Sequence, residues 1–261
     1  FRHALAHLVN RTYVVDVICE GRALPMYTPI PPALPEYLNP NVDKHPYSVT
    51  EAASILDAAD YADIDEDGWR NDPVTGQNVN LTFYYRTDDP YRTGFFDWYQ
   101  HQLTSIGLGI TPKPIKLAEA LEQIVANKSF HLYTGGWGWG GREPDMLYDL
   151  YHSSMYWHPD PCVNYVHFND TEYDYYSSFL IHAPDFETAK VAAMECQRIL
   201  SSEDRIGVIP LWSRIFSEVH RKCYGHWEGE EEYWDKPWIG MVNDVRIGLD
   251  NWWTFLNCHP E

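Results

Sequence analysis

The sequence predicts an α/β fold in which helices flank a mixed sheet. Between Val79 and Thr134, short runs rich in β-branched and aromatic residues alternate with runs whose apolar residues recur at helical spacing. This strand–helix–strand–helix–strand order is typical of a sheet covered by helices. The chain has 261 residues, 44% hydrophobic and 15% aromatic, so it can bury a sizeable core and does not resemble a disordered protein.

The first part of the chain combines two predicted helices with a proline-rich connection. Apolar residues at helical spacing predict a helix over residues 1–18. Residues 24–40, "LPMYTPIPPALPEYLNP", are expected to form an extended loop, because proline restricts the backbone and lacks a donor. A helix is predicted next over residues 48–61, where Ser48 and Glu51 have the spacing of a capping box.

The later elements follow from the same two periodicities. Strands are predicted at residues 79–85, 108–117, 129–134 and 205–212, and helices at residues 93–107, 117–128, 144–152 and 185–203. Gly107 is placed to end one of these helices, and Pro144 to begin another. From Ser213 onward the chain is polar, aromatic and irregular, which indicates a change of organisation there.

Charge and composition exclude several classes of partner. The formal net charge of −19 argues against nucleic acid and against an anionic membrane surface, because both attract basic proteins. No apolar run approaches the roughly 20 residues of a membrane span. The chain begins at Phe1 and not at Met, so we expect it to be a piece of a longer protein, and the lack of a signal peptide at its start says little about location. The five cysteines form no CxxC pair, and Cys19 and Cys196 are expected to be buried structural thiols.

A calcium-binding loop is one interpretation of "DIDEDGWRND", residues 63–72. Three carboxylates stand at alternate positions, namely Asp63, Asp65 and Asp67. Gly68 would allow a sharp turn, and the Trp69 carbonyl would add a further oxygen ligand. The closing position, where calcium loops place a bidentate Glu, holds Val74. An acidic β-turn between a helix and a strand is the alternative, so calcium stays a hypothesis.

No catalytic motif stands out, and we therefore expect a protein that is not an enzyme. The 12 histidines show no HExxH or comparable zinc spacing, and no GxSxG nucleophile elbow occurs. A carboxylate pair of a glycosidase stays open, because the separation of two carboxylates is invisible in a sequence.

The stretch "GGWGWGG", residues 135–141, is the strongest candidate for a binding site. Five glycines make ordering costly, which is a poor way to support a core, whereas indoles offer flat apolar walls with one donor. The stretch follows a predicted strand and precedes a predicted helix, where α/β domains bind ligands. A tight turn with both tryptophans in the core is the alternative. The predicted ligand-binding residues are Tyr133, Gly136, Trp137, Gly138, Trp139, Gly140, Glu143 and Asp145.

Several segments together resemble the family 5 extracellular solute-binding proteins of ABC importers, which bind oligopeptides, dipeptides, nickel complexes or sugars. The segments, in family order, are "FRHALAHLVNRTYVV", "ALPMYTPIPPALPEY", "YSVTEAASILDAADYADIDEDGWRND", "TGGWGWGGREPDMLYDLYHSS", "VAAMECQRILSSEDRIGVIPLW" and "IGLDNWWTF". They cover almost the whole chain. The resemblance implies the C-terminal lobe of a two-lobed protein of the type II periplasmic-binding-protein fold.

The resemblance also implies an organisation and a function. Residues 1–212 would form the ligand-binding lobe, and residues 213–261 would complete the N-terminal lobe, which is missing. A peptide or other small solute would bind in the cleft between the lobes, without any cofactor. Closure would present the protein to a membrane permease, outside the cytoplasm. We expect exposed apolar surface where the partner lobe would sit.

One departure from the family pattern bears on the ligand. Peptide-binding members carry a motif that resembles Trp-x-x-Asp, followed a few residues later by Glu or Asp and then Pro. The Asp of this motif binds the α-ammonium group of the peptide ligand. Aligning Trp137 and Glu143 with this pattern puts Gly140 at the Asp position. A buried cation without a carboxylate is costly, so a free amino terminus is not expected to bind in the usual way. Glu143 or Asp145 could substitute, or the ligand could be an oligosaccharide. A secreted glycoside-acting enzyme and a lobe retained as an interaction module are the remaining alternatives.

Overall fold

The computed structural model describes residues 1–138, 143–157 and 164–215. The helices are α1 (Arg2–His7), α2 (Arg11–Tyr13), α3 (Val49–Ala58), α4 (Pro90–Thr104), α5 (Leu117–Ala120), α6 (Met146–Tyr151), α7 (Thr171–Ile181) and α8 (Phe186–Ser201). The strands are β1 (Ala23–Pro25), β2 (Asn80–Arg86), β3 (Gly109–Ile115), β4 (Leu132–Tyr133) and β5 (Trp212–Arg214). Short π-helical turns extend α2 and α5 over Val14–Ile18 and Leu121–Ala126, and 3₁₀ turns cover Pro35–Tyr37 and Ser153–Trp157.

The strands form two sheets. A three-stranded parallel sheet has the order β3-β2-β4, with Phe83 of β2 facing Pro112 of β3 and Leu132 of β4. The other sheet pairs β1 with β5 in antiparallel fashion, so that Leu24 faces Ser213. Helices connect the three parallel strands, because parallel pairing requires a crossover connection. The α/β fold class predicted from the sequence is confirmed.

The first predicted helix is interrupted. Helix α1 ends at His7, and α2 begins after Asn10, whose side-chain oxygen accepts a hydrogen bond from the Tyr13 amide at 3.0 Å. The side chain that follows, Arg11, is buried, and its Nε donates to the carbonyls of Met26 at 2.8 Å and Pro210 at 3.0 Å. Asn10 therefore starts a new helix where the chain turns to bury this guanidinium.

Helices α3, α4 and α8 begin at side-chain caps. The Ser48 hydroxyl accepts from the Glu51 amide at 3.1 Å, and Asp185 accepts from the Thr188 amide at 2.8 Å. Helix α4 starts three residues earlier than predicted, because Asp89 caps it and Pro90 fits its first turn. It ends as expected near Gly107, whose φ of +80° places it in the left-handed region.

One predicted strand was wrong, and one helix was not predicted. Residues 205–212 were expected to form a strand, yet only Trp212 of this run lies in one. Gly207 packs so closely against Phe168 that a Cβ would lie 2.7 Å from its ring, and Pro210 has no amide hydrogen to pair. Helix α7 was missed, because its aromatic residues surround the helix instead of lining one face. Tyr173 shows why it forms: the ring is fully buried, and its hydroxyl donates to the Leu147 carbonyl at 2.7 Å.

The core consists of two main clusters of buried side chains. One joins α1, α3 and α4 to the parallel sheet around Leu8, Leu56 and Leu103. The other joins α6, α7 and α8 to the proline-rich segment, where Ile30 and Leu34 are nearly fully buried. Each cluster holds one free buried thiol, Cys19 in the first and Cys196 in the second, as expected.

The predicted boundary after residue 212 stays a prediction. Ser213 and Arg214 still pair with β1, and Ile215 donates from its amide to the Arg22 carbonyl at 3.0 Å. The rest of the segment predicted to complete the other lobe, residues 216–261, lies outside the described residues. Within the residues that are described, each helix is too short or too polar to cross a bilayer.

Gly107 offers a test of how the loop before β2 meets the end of α4. A Cβ at this position would lie 3.2 Å from the Gly68 carbonyl oxygen, in addition to adopting φ +80°. Gly76 has a similar φ of +69° but open space around it. A substitution at Gly76 therefore measures only the free-energy cost of placing a side chain on a backbone with positive φ. We expect Gly76→Ala to lower the free energy of unfolding by about 1 kcal/mol and Gly107→Ala to lower it by a further 1–3 kcal/mol, roughly. Urea denaturation measures both, and equal losses would contradict the packing described.

Candidate functional site

The predicted binding loop leaves the carboxyl edge of the parallel sheet. Strand β4 ends at Tyr133, next to the end of β2 at Arg86. Thr134 joins the two strands beyond the last pair, because its amide donates to the Tyr84 carbonyl at 3.1 Å and its hydroxyl accepts from the Arg86 amide at 3.3 Å. Ligands of open α/β sheets bind at this edge, so the predicted location of the loop agrees with the topology.

Gly135 and Gly136 are needed for close approach by the protein's own side chains. A Cβ on Gly135 would lie 2.8 Å from the Tyr165 hydroxyl and 3.1 Å from the Tyr133 ring. A Cβ on Gly136 would collide with the guanidinium of Arg92, which donates from Nη1 to the Thr134 carbonyl at 2.7 Å. Neither glycine has a positive φ. Their role is therefore steric, and Gly138, with nothing within 4 Å of its Cβ position, has no such constraint.

Trp137 is half-buried on this loop, between the two alternatives considered for it. Its ring centroid lies 5.7 Å from that of Tyr165, inclined at 47°. Burial raises the pKa of Tyr165 to about 12, although the neighbouring Trp137 indole opposes this shift. Tyr165 therefore stays protonated at neutral pH. Phe130 extends this aromatic surface, with its ring 6.1 Å from Tyr165 and 6.4 Å from Tyr133.

A group of charged side chains lies beside the loop and was not predicted. Asp89 is buried and pairs with two guanidinium groups, Arg92 at 3.0 Å and Arg214 of β5. Next to them, Arg86 holds Asp88 through two hydrogen bonds of 2.9 and 3.1 Å, which lower the pKa of Asp88 to about 2. Among these five described side chains, three guanidinium groups thus face two carboxylates, which leaves this group with one net positive charge.

The remaining predicted ligand-binding residues fall into two groups. Trp139 and Gly140 lie outside the described residues. Glu143 and Asp145 are exposed where the chain resumes, and the Asp145 carboxylate accepts from the Met146 amide at 3.0 Å at the start of α6. The structure therefore brings together Tyr133, Gly136 and Trp137, while Asp145 already serves as a helix cap.

The predicted calcium loop is an exposed turn at the opposite edge of the parallel sheet. Carboxylate oxygens of Asp63, Asp65 and Asp67 lie within 4.8 Å of one another. Asp63 accepts from the Gly68 amide at 2.9 Å, and Asp67 accepts from the Trp69 amide at the same distance. Gly68 has φ +92°, as the sharp turn requires. These bonds stabilise the turn by themselves, so calcium binding stays a prediction.

The two kinds of glycine on the loop give a matched pair of substitutions. We expect Gly135→Ala to lower the free energy of unfolding by about 1–3 kcal/mol, because the added methyl group must displace Tyr165 or Tyr133. Gly138→Ala should leave stability unchanged or raise it by up to about 1 kcal/mol, since it restricts only the unfolded chain. Urea denaturation of both variants checks this difference. A Gly135→Ala variant as stable as Gly138→Ala would contradict the described contacts.

Solved structures of two oligopeptide-binding proteins share this fold. AppA from Bacillus subtilis, solved with a nonapeptide, is 23% identical to this chain with a TM-score of 0.73, covering 82% of this chain and 41% of AppA. The periplasmic oligopeptide-binding protein from Thermotoga maritima, solved with bound mannohexaose, is 19% identical with a TM-score of 0.73, covering 100% of this chain and 49% of that one. At these identities the likeness establishes the fold, which is that of type II periplasmic binding proteins.

Sequence comparison identifies the family. A "Probable ABC transporter-binding protein" from Deinococcus radiodurans is 24% identical over 130 residues, which cover 50% of this chain and 22% of that protein. This chain thus matches less than half the length of each of these relatives. Residues 1–157, more than half of this chain, match the middle part of the bacterial extracellular solute-binding proteins of family 5. The chain belongs to the family 5 bacterial extracellular solute-binding proteins.

Proposed function

We propose that this chain supplies one lobe of the substrate-binding component of an ABC importer, with the loop after β4 as one wall of the ligand cleft. The observation that carries the proposal is the aromatic surface formed by Trp137, Tyr165 and Tyr133 at the carboxyl edge of the parallel sheet. Flat aromatic walls suit ligands that bind by stacking. Membership of a family of binding proteins supports binding without bond making or breaking.

The proposed mechanism is closure of two lobes around the ligand. A single lobe offers only part of the contacts, so we expect weak binding by this chain and tight binding by the two-lobed protein. The closed form is then what a membrane permease recognises, outside the cytoplasm. Support comes from the Deinococcus relative, whose name places it with an ABC transporter.

The charges beside the loop favour an anionic or neutral ligand group over an ammonium group. Arg92 lies against Gly136 and pairs with Asp89, which also pairs with Arg214. The Asp89 carboxylate is therefore already engaged and is not free for a ligand cation. The sequence has Gly140 where peptide-binding relatives are expected to place an acidic residue. Both observations support a peptide-like ligand that is not held by its free amino terminus.

An oligosaccharide is the second candidate ligand. Sugar rings stack on indole faces and need no counter-charge, which fits Trp137 on a loop that is glycine on both sides. The Thermotoga relative was solved with bound mannohexaose, so the fold accommodates such a ligand. The same aromatic wall suits both candidate ligands, so binding measurements with each of them must distinguish the two.

Trp137 provides the first test, in the two-lobed protein of which this chain is one lobe. We expect Trp137→Ala to weaken binding of an N-acetylated pentapeptide or of mannohexaose, whichever binds the unsubstituted protein, by at least about tenfold. The matched control is Trp69→Ala, which removes a partly exposed indole within the predicted calcium loop, at the opposite edge of the sheet. Isothermal titration calorimetry measures the affinities, and mass spectrometry should recover the ligand intact. Equal effects of the two substitutions, or conversion of the ligand, would argue against the proposal.

Gly140 provides the second test, of the ligand's charge. Because no acidic residue stands at this position, N-acetylation of a pentapeptide should change its affinity by less than about threefold. In Gly140→Asp the free-amine peptide should gain affinity over its acetylated form, since the new carboxylate can pair with the ammonium group. Titration of both peptides into both proteins measures this. A variant that shows no such gain would count against this account of the ligand while leaving the aromatic wall untouched.

A further inference from the structure

Three histidines meet between α1 and the segment that leads to α3. His3 and His7 are four residues apart on α1, hence on one face, and His45 approaches them from the loop before α3. One ring nitrogen of each lies within 4.8 Å of those of the other two. An i, i+4 pair of histidines on a helix is a spacing that metal sites use. The expectation that the histidines lack such a spacing therefore needs correction for this pair.

His7 is oriented as a ligand. Its Nδ1 lies 2.7 Å from the Pro46 carbonyl oxygen, which can only accept, so Nδ1 carries the hydrogen. Its Nε2 then presents a lone pair toward His3, whose Nε2 is 3.1 Å away. A backbone carbonyl that fixes the far nitrogen of a histidine is the usual support for metal-binding imidazoles.

His45 is buried without the partners a buried imidazole needs. Its side chain is 6% exposed, and within the described part of the chain neither ring nitrogen makes a hydrogen bond. Asp43 Oδ1 lies 3.4 Å from Nδ1, close but poorly aligned for one. Burial lowers the pKa of His45, as do the nearby His3, His7 and Arg11, whereas Asp43 opposes this. A buried ring whose two nitrogens lack hydrogen-bond partners can gain a partner by binding a metal ion.

We propose that His3, His7 and His45 bind a divalent transition-metal ion of the zinc class, with Asp43 as its counter-charge. Nitrogens bound to one tetrahedral zinc ion are about 3.3 Å apart, as follows from Zn–N bonds of about 2.0–2.1 Å. The His3–His7 separation of 3.1 Å already fits this value. The other two separations both involve His45 and are at most 4.8 Å, so the site closes if the His45 ring moves toward the other two by about 1.5 Å at most.

The carboxylates nearby fit a cation, and the imidazoles indicate which type of cation it is. Asp43 and Glu203 both place an oxygen within 4.8 Å of a His3 ring nitrogen, so two negative charges stand beside the three imidazoles. They offset Arg11, whose guanidinium is already engaged by backbone carbonyls. Imidazole nitrogens select zinc, nickel or copper over calcium and magnesium, which prefer oxygen. The site shares no residue with the glycine loop, so it is independent of the proposed solute-binding function.

Zinc binding here would fasten α1 to a segment almost 40 residues later in the chain. His7 and Pro46, joined by the hydrogen bond described above, are 39 positions apart. An ion that binds only the folded arrangement stabilises it in proportion to its affinity and concentration. The unfolding temperature of the chain should therefore rise with added zinc.

The test uses the full chain without a polyhistidine tag, stripped with a chelator and titrated with zinc chloride at pH 7.5. We expect about one zinc ion per chain, and X-ray absorption should show imidazole nitrogens at about 2.0–2.1 Å. His3→Ala and His45→Asn should each weaken binding by at least about tenfold. Asparagine suits position 45 because φ there is +43°, which asparagine tolerates well.

Two controls separate this site from other zinc ligands. His101→Ala removes an exposed histidine of α4, and a chain with Asp63, Asp65 and Asp67 all changed to Asn removes the acidic turn. Both should keep the affinity of the unsubstituted chain. Failure of the unsubstituted chain to bind zinc, or unchanged affinity in His3→Ala, would overturn the proposal. If His45→Asn does not fold, as judged by circular dichroism, the partly exposed His3 position decides the question alone.

Discussion

The buried carboxylate of Asp89 is the interaction on which the site depends. It caps α4, accepting from the Tyr91 amide at 3.1 Å, and it pairs with Arg92 and with Arg214 of β5. Arg92 in turn donates to the carbonyl of Thr134, the residue just before the glycine loop. A buried carboxylate is stable only while its cations stay in place, and losing one partner typically costs about 3–5 kcal/mol. One ionised group thus joins the end of β2, the second sheet and the loop.

Local signals were enough to predict most of the regular structure. Helix α8 and strand β2 each combine a clear periodicity with a cap or turn residue, and both form as expected. The sequence failed where distant contacts override local preference. Helix α7 has aromatic residues on several faces and so lacks a clear periodicity. It forms because Tyr173 donates a hydrogen bond to a buried partner on α6. Residues 206–211 lack strand pairing because Gly207 is pressed against Phe168 and because Pro210 lacks a donor.

The candidate site was predictable in its position but not in its chemistry. A glycine-rich run after a strand indicated the carboxyl edge of the sheet, and Tyr133 and Trp137 do lie there. The side chains that shape it, Arg92 and Tyr165, are about 40 residues before and about 25 residues after the loop. No spacing rule connects them to Gly135 or Gly136. The charge beside the loop, on which the proposed choice of ligand rests, is therefore visible only in three dimensions.

The first two glycines of the loop are sterically confined, and Gly138 is not. Gly135 and Gly136 are confined by neighbouring rings and a guanidinium, whereas the space around Gly138 is open. A side chain added at Gly138 would have open space around its Cβ and is one residue from Trp137. This position is thus a natural attachment point for an environment-sensitive dye, which would report occupancy of the aromatic wall. The buried thiols Cys19 and Cys196, whose pKa values burial raises to about 11 and about 12, would compete poorly for a thiol-directed label, whereas Cys162, Cys223 and Cys258 would be replaced first.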